Sequence, residues 1–354
     1  MNRRVTMADV ARRAGVHITS VSMALRNHPA ISQATRERLQ RLAKQMGYVR
    51  DPALSALIAY RNRARASGTR QSLAYVTNWD TRWGWKEHAA QREFFEGASL
   101  SAATLGFQLE HFWLGEPGLT SRRLDSILHS RGIVGLILAS HRREFEGPLD
   151  FDWSRYSAVK IDVSPIRQPL HIIANDQRSI MMLVMQRALA AGYRRIGFVM
   201  PRWWDEFVGL AWSAGYLACQ QRLPAKDRLP ILHYEMTDRS GALENASPGF
   251  LVPREPLARW LKFHRPDALL SHAPFVEKRL AELQVSVPGD LAYADICLAD
   301  ANGRTAGVRN NSTRVGELAV EILAGQMQNH IYGIPSIATS TIVEGTWCDG
   351  KSLP

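Results

Sequence analysis

Between Asp9 and Leu25 the chain places small and apolar residues at helical spacing and puts cations and hydroxyls between them. Side chains of those types can hold a polyanion: cations supply attraction, and hydroxyls supply short directional donors. Charge along the chain points the same way. Residues 1–70 carry 14 Lys and Arg against 3 Asp and Glu, whereas the remainder carries 30 of each, so the formal charge of +11 belongs to the first fifth of the chain. A basic head on a neutral body fits a nucleic acid, and by charge alone also a solvated basic surface or a membrane-surface tail. Catalytic chemistry finds little support. The histidines are dispersed, and Cys219, Cys297 and Cys348 stand far apart and read as reduced thiols. No Gly-rich phosphate loop, nucleophile elbow or metal-spaced cluster occurs, so neither catalytic residues, a metal nor a cofactor is expected.

The elements that must position these residues are legible in outline. Thr6 can cap a first helix while Asp9 answers from its third position, and Gly15 suits the left-handed residue that ends it. A second helix is expected from about His17 to Arg26, with Val21 and Leu25 inward and Ile18, Thr19, Ser22 and Met23 outward. Pro29 breaks the chain, Ser32 caps a third helix carrying Leu39, Leu42 and Met46, and Gly47 closes it. Asp51 and Pro52 open a short fourth helix, followed by the polar stretch 61–70. Beyond it, short apolar runs (Leu73–Val76, Val134–Leu138, Ala158–Ile161, Ile196–Val199, Ala268–Leu270, Leu291–Ala294) alternate with helices at about 90–105, 178–191 and 312–328. That alternation predicts parallel, doubly wound α/β sheets, and its length predicts two lobes with a cleft. No run is long and apolar enough to span a membrane, and no signal-peptide core opens the chain, so a cytoplasmic protein is expected.

The run Asp9-Val10-Ala11-Arg12-Arg13-Ala14-Gly15-Val16-His17-Ile18-Thr19-Ser20-Val21-Ser22, with Ile31–Leu39 and Gly47-Tyr48 after it, resembles the head of the lactose-repressor (LacI/GalR) family of bacterial regulators. The resemblance implies a helix-turn-helix over residues 1–50 whose second helix enters the DNA major groove. It implies that Ile18, Thr19 and Met23 face base edges and that Thr6, Ser22, Ser32, Thr35 and Tyr48 orient the head on phosphates. It also places His17 and Ser20 at the DNA. His17 stands where the family has a capping Ser, and Met23 where it has a polar or basic reader, which shifts the expected readout toward thymine methyls. Residues 51–70 correspond to the family's hinge helix and linker, with Leu57 as the leucine that wedges a base step open in the minor groove.

The resemblance extends through Phe95–Ala98, Leu105–Phe107, Gly192–Gly197, Arg265–Leu269, Val287–Leu291 and Gly333–Pro335. It implies that residues 71–354 form a two-lobed effector-binding and dimerisation domain of periplasmic-binding-protein type. Ligands of such sheets sit beyond the carboxyl ends of strands, which makes Asn78, Trp79, Asp80, Ser140, Asp162, Trp203, Trp204 and Asp295 the effector candidates. Asp162 matches the family position that meets a ligand hydroxyl, and Asp176 reads as a helix cap. Tryptophans with scattered carboxylates suit a carbohydrate. The expected protein is a homodimeric repressor on a pseudo-palindromic double-stranded operator. Its alternatives are a constitutive DNA binder with a vestigial cleft, or an enzyme with the head as localiser.

Overall fold

The computed structural model describes residues 5–25, 31–48, 71–141, 149–162, 168–236 and 250–354. The expected fourth helix and linker, Leu57 included, lie outside the described residues.

Among the described residues the head holds three helices, α1 (Met7–Ala14), α2 (Ile18–Leu25) and α3 (Gln33–Gln45). Thr6 and Asp9 form a reciprocal cap: the Asp9 amide donates to Thr6 Oγ1 at 3.3 Å, and the Thr6 amide donates to Asp9 Oδ2 at 3.0 Å. Gly15 then takes φ +67°, and its N–H reaches the carbonyls of Ala11 and Arg12, turning the chain sharply into α2. That left-handed residue costs glycine nothing and would strain a side chain. Val10, Ala11, Val21, Ala24, Leu39 and Ala43 meet in a small core, and Gln40 Nε2 caps the end of α2 through the Ala24 carbonyl at 2.9 Å.

The body builds two six-stranded sheets. The first contains β1 (Gln71–Asn78), β2 (Phe107–Trp113), β3 (Gly135–His141), β4 (Ser157–Ile161), β5 (His171–Asn175) and β11 (Ser340–Val343), in the order β11-β5-β4-β3-β1-β2, all parallel. Helices α4 (Ala89–Leu105), α5 (Ser121–Ser130) and α11 (Ser312–Gln328) belong to this lobe. The second contains β6 (Ile196–Pro201), β7 (Leu232–Tyr234), β8 (Ala268–Ser271), β9 (Ala292–Asp295), β10 (Ala306–Arg309) and β12 (Thr346–Cys348), in the order β12-β10-β9-β8-β6-β7. Around it lie α6 (Gln177–Ala190), α7 (Arg202–Phe207), α8 (Ala211–Gln220), α9 (Arg254–His264) and α10 (Ala273–Glu282).

Two parallel, two-sided sheets are the architecture that the alternating pattern predicts, with one correction. β12 runs antiparallel to β10, because the chain crosses from the first lobe directly into the second and enters that sheet at its edge. The strands β2, β5, β7, β10, β11 and β12 gave no readable run. Most are three to five residues long, and several sit at sheet edges, where half-polar sequences suffice.

The chain passes between lobes three times, after β5, after β10 and after β11, and the crossings are tied together. The Asp176 amide donates to the Val343 carbonyl at 2.9 Å, Asn175 Nδ2 to Ser312 Oγ at 3.2 Å, and Asn311 Nδ2 to the Glu344 carbonyl at 2.7 Å. Such short, mutually bonded segments form a hinge about which two rigid cores can move. Asp176 does cap α6, accepting from the Ser179 amide at 3.0 Å.

Candidate functional site

Two regions carry the expected site residues. In the head, His17 takes the position just before α2, where its backbone carbonyl accepts from Ser20 and Val21. Its Nδ1 accepts from the Thr19 amide at 3.4 Å and meets Thr19 Oγ1 at 2.9 Å. An imidazole therefore does the capping that a hydroxyl usually does. Accepting at Nδ1 assigns the proton to Nε2 and leaves the Thr19 oxygen with lone pairs to offer a base amino group.

Ile18 and Thr19 are exposed, Ile18 at 40%, while Ser20, Ser22 and Met23 are half-buried along the same helix. Thr6 is exposed, but its hydroxyl donates to Asp9 Oδ2 at 2.7 Å and already serves the cap. Ser32 caps α3 and donates to Thr35 Oγ1 at 2.9 Å, which leaves the Thr35 hydroxyl proton for an outside acceptor. Tyr48 packs partly against the head core. Arg12, Arg13, Arg38, Arg41 and Lys44 are exposed around these groups. The head thus offers a short helix with small, apolar and hydroxyl side chains on a cationic surface.

In the body, the eight effector candidates stand at or just beyond the carboxyl ends of β1, β3, β4, β6 and β9. Their surroundings separate them. Asp162 follows β4 at φ +64°, a left-handed conformation uncommon outside glycine, asparagine and aspartate, with its amide held by the Ile173 carbonyl at 2.8 Å. Strain of this kind persists where surrounding structure enforces it, often at ligand sites. Asn78 and Trp79 are half-buried, Asp80 is exposed, and the Trp79 ring lies 4.6 Å from that of His88. Trp203 packs on Phe207 at 5.6 Å. Ser140 is the sixth residue of β3, and its side chain lies outside the described set.

Two candidates are engaged within the second lobe. Trp204, half-buried, sets its ring against Phe275 at 4.8 Å, His272 at 5.8 Å and Trp212 at 6.0 Å, packed on the second lobe's core. Asp295 is 2% exposed and accepts from the Ala273 amide at 2.7 Å, the Cys297 amide at 2.7 Å, His272 Nδ1 at 3.1 Å and the Tyr293 hydroxyl at 3.3 Å. Those contacts fill its acceptor positions and secure the start of α10. Asp295 is better explained as an internal support than as a ligand contact, whereas Trp204 is half-buried like Trp203.

Residues that the sequence reading passed over gather around Asp162. Tyr75 is 1% exposed in β1, and its hydroxyl has no partner among the described residues. Burial raises its phenol, and the Asp162 charge raises it further. From the second lobe, Cys297 is pushed up to about 12 by burial and then by the carboxylates Asp295, Glu93 and Asp162. Glu93 and Asp162 belong to the first lobe, so this thiol marks where the lobes face each other. Arg309 at the end of β10 reaches Glu93 on α4 at 3.4 Å, an ion pair between the lobes. Asn310 Nδ2 reaches Cys297 Sγ at 3.3 Å. Tyr75 reads as core from its alternation alone, and Arg309 and Asn310 end a strand that the sequence did not reveal.

His111 on β2 adds a titratable group within an aromatic cluster, its ring 4.9 Å from Trp83 and 5.6 Å from Trp85. Burial, then Arg82 and Lys86, lower it from 6.5 to about 4. The unfolded chain therefore takes up this proton first, and stability should fall as pH drops from about 6.5 toward 4, by up to about 3 kcal/mol. Urea denaturation across that range should show a flatter acid limb in His111→Gln than in the parent. An unchanged slope would remove His111 from the account.

Asp205, Ser213 and His233 form a second buried polar group. His233 Nε2 lies 2.9 Å and Ser213 Oγ within hydrogen-bond distance of the same Asp205 oxygen. Ser213 Oγ also lies 3.4 Å from His233 Nε2, but that nitrogen is itself turned to the nearer Asp205 oxygen, so the hydroxyl donates to the carboxylate rather than to a base. Nucleophile activation needs the histidine in the middle. No group of three or more His, Cys, Asp or Glu able to hold a metal occurs among the described residues, and none of the described helices is long and apolar enough to cross a membrane.

Comparison with known proteins decides what the head is. The model of the bacterial regulatory proteins of the lacI family matches residues 6–51. Those residues are a lacI-family domain. The lacI-family head is also 39% identical over 56 residues to the maltose regulon regulatory protein MalI of Vibrio furnissii, a match covering 16% of this chain and 41% of that relative. Solved structures align along the whole chain. The transcriptional regulator CelR in complex with cellobiose gives a TM-score of 0.58 at 17% identity, covering 99% of this chain and 100% of that one. The lac repressor dimer bound to operator and the anti-inducer ONPF gives 0.54 at 15% identity, covering 99% of each. At such identities the likeness is one of fold, and the lacI-family head is joined to a body of the two-lobed periplasmic-binding-protein type.

Proposed function

We propose that this protein is a sequence-specific DNA-binding transcription regulator, acting in the cytoplasm as a homodimeric repressor without catalytic activity. The observation that carries the reading is the lacI-family head itself: α2 presents Ile18, Thr19 and Met23 on a cationic surface. A helix of this length lodges in the major groove, its early residues meeting base edges, while neighbouring hydroxyls and cations hold phosphates. Residues 51–70 act as hinge and linker, with Leu57 wedging the minor groove of a pseudo-palindromic operator. The body, residues 71–354, supplies dimerisation and an effector cleft centred on Asp162, Tyr75, Glu93, Cys297 and Arg309. Effector binding that favours one lobe arrangement changes operator affinity, and operator binding changes effector affinity by the same factor. The structures bound to cellobiose and to operator support a carbohydrate-like effector and a DNA target.

Selection of bound duplexes from a random pool is the deciding experiment. It is expected to return a two-fold-symmetric site, bound with a steep salt dependence from released counterions. Equal binding to all duplexes at moderate salt would end this reading. One observation favours a second reading, a constitutive binder: the Asp295 carboxylate is buried and its acceptor positions are filled. A carbohydrate panel followed by thermal shift separates the two, because a ligand at about 100 times its Kd adds roughly 2.7 kcal/mol.

A further inference from the structure

The pair His17 and Thr19, at the start of α2, bears on which base the head reads. A threonine hydroxyl ordinarily rotates to suit its partner. It gives its proton to a keto oxygen or accepts one from an amino group, and so reads either kind of base edge. Here the rotation is fixed. His17 Nδ1 lies 2.9 Å from Thr19 Oγ1, and the Thr19 amide donates to the same nitrogen at 3.4 Å. Neither side chain has another hydrogen-bond partner among the described residues.

Two arguments place the proton. A ring nitrogen that accepts from an amide carries no proton of its own. The first turn of a helix also gathers unpaired N–H groups and positive potential, which stabilise an acceptor there and repel a further N–H. Nδ1 is therefore bare, and the Thr19 hydroxyl gives it its single proton. Only lone pairs remain on the Thr19 oxygen. Both residues are exposed, and side chains near the N-terminus of a reading helix meet base edges. In the major groove adenine N6 and cytosine N4 offer amino protons, whereas guanine O6 and thymine O4 only accept.

We propose that His17 is a positioning residue for base recognition: by holding the Thr19 hydroxyl proton it makes Thr19 an acceptor only, so that the bound duplex presents adenine or cytosine, and not guanine or thymine, to Thr19. This rests on the reading of α2 as the helix in the major groove, and it adds the base class selected at one position and the residue that sets it. In His17→Ser the short hydroxyl still caps the helix. It can give or accept a proton, so it imposes no direction on Thr19, and the same threonine then reads either class.

The test uses full-length protein and the duplex that it selects from a random pool. Selection repeated with Thr19→Val, which keeps the branched shape and removes the hydroxyl, identifies the base pair that Thr19 meets as the one where preference is lost. Duplexes with each of the four bases there, in one half-site, are then titrated by fluorescence anisotropy. The parent is expected to favour the amino base over its keto counterpart on the order of tenfold, the usual cost of one wrong base pair. Thr19→Ser should keep that preference. His17→Ser should reduce it below about threefold while binding its best duplex within a few-fold of the parent. Purine in place of adenine, or 2-pyrimidinone in place of cytosine, deletes the amino group alone, and should cost the parent a similar factor that Thr19→Val does not feel. That arm is read on the parent, so it is independent of how well the position-17 variant folds. A keto preference, no position altered by Thr19→Val, an amino preference undiminished in His17→Ser, or a loss spread evenly over all four bases in His17→Ser each overturns the proposal. Every one of these outcomes is scored on a site that the parent has selected, so the base class can fail while the regulator reading stands. A parent that selects no site fails both.

Discussion

Leu39→Asp is expected to reduce binding to the selected duplex at least a hundredfold, to the level of random competitor, while the body's thermal transition stays in place. Among the described residues, Leu39 is the one large aliphatic side chain fully buried in a head core otherwise made of two valines and three alanines, and it is 0% exposed. Deleting its contacts costs about 3 kcal/mol. A carboxyl group in that site adds a few kcal/mol, whether it stays charged or is held neutral. A domain of this size rarely stores more than about 3–5 kcal/mol, so the head unfolds and α2 is lost as a reading element. In the proposed dimer both heads fail together, which multiplies the effect. Leu39→Met keeps volume and polarity and should bind within a few-fold of the parent. Fluorescence anisotropy with the selected duplex, beside differential scanning calorimetry, reads both halves of the expectation. Specific binding retained by Leu39→Asp would show that the head does not carry recognition.

The second large effect is on the body. Helices α4 and α11 touch backbone to backbone, and glycine permits the approach on each side. A Cβ at Gly316 would stand 2.0 Å from the Phe94 carbonyl oxygen, and one at Gly97 would stand 1.9 Å from that of Thr313. Neither obstacle is a side chain that can swing away, so Gly316→Ala must push the helices apart, at about 3 kcal/mol. In a body of this length that lowers Tm by roughly 5–10 °C. Because α4 carries Glu93 and the start of α11 joins the lobe crossings, the Glu93–Arg309 pair should loosen as well. Gly325 lies on the same helix, with nothing within 4 Å of its would-be Cβ. Gly325→Ala should therefore raise stability by about 0.5–1 kcal/mol. Similar melting temperatures for the two variants would refute the close-approach argument.

How legible was this protein? The head was readable nearly residue by residue, because its determinants are local. The Thr6–Asp9 cap, the left-handed Gly15 and the Ser32 cap each depend on neighbours within a few positions, and all form as their spacing predicts. The long amphipathic elements α4, α6 and α11 fall within two residues of their expected limits. The short strands β7, β10 and β12 were hidden, since three or four residues carry too little periodicity to stand out.

The cleft was legible only in part. Parallel sheets bind ligands beyond their strand ends, and that rule brought the search to Asp162. It also selected Asp295, which occupies a strand-end position but is buried with its oxygens already bonded. A strand end says where a residue stands, and not whether neighbouring rings and amides have already claimed it.

Sequence alone determined the kind of protein this is: a basic helix-turn-helix head on a two-sided parallel α/β body, since capping, turn chemistry and hydrophobic period are properties of adjacent residues. Tertiary structure alone decided which groups face one another between the lobes. Tyr75, Glu93 and Asp162 lie up to 87 positions apart and meet Cys297 and Arg309 only because the chain crosses three times between lobes. Electrostatic contacts over such separations leave no periodic trace, because what joins these groups is the path of the backbone through space.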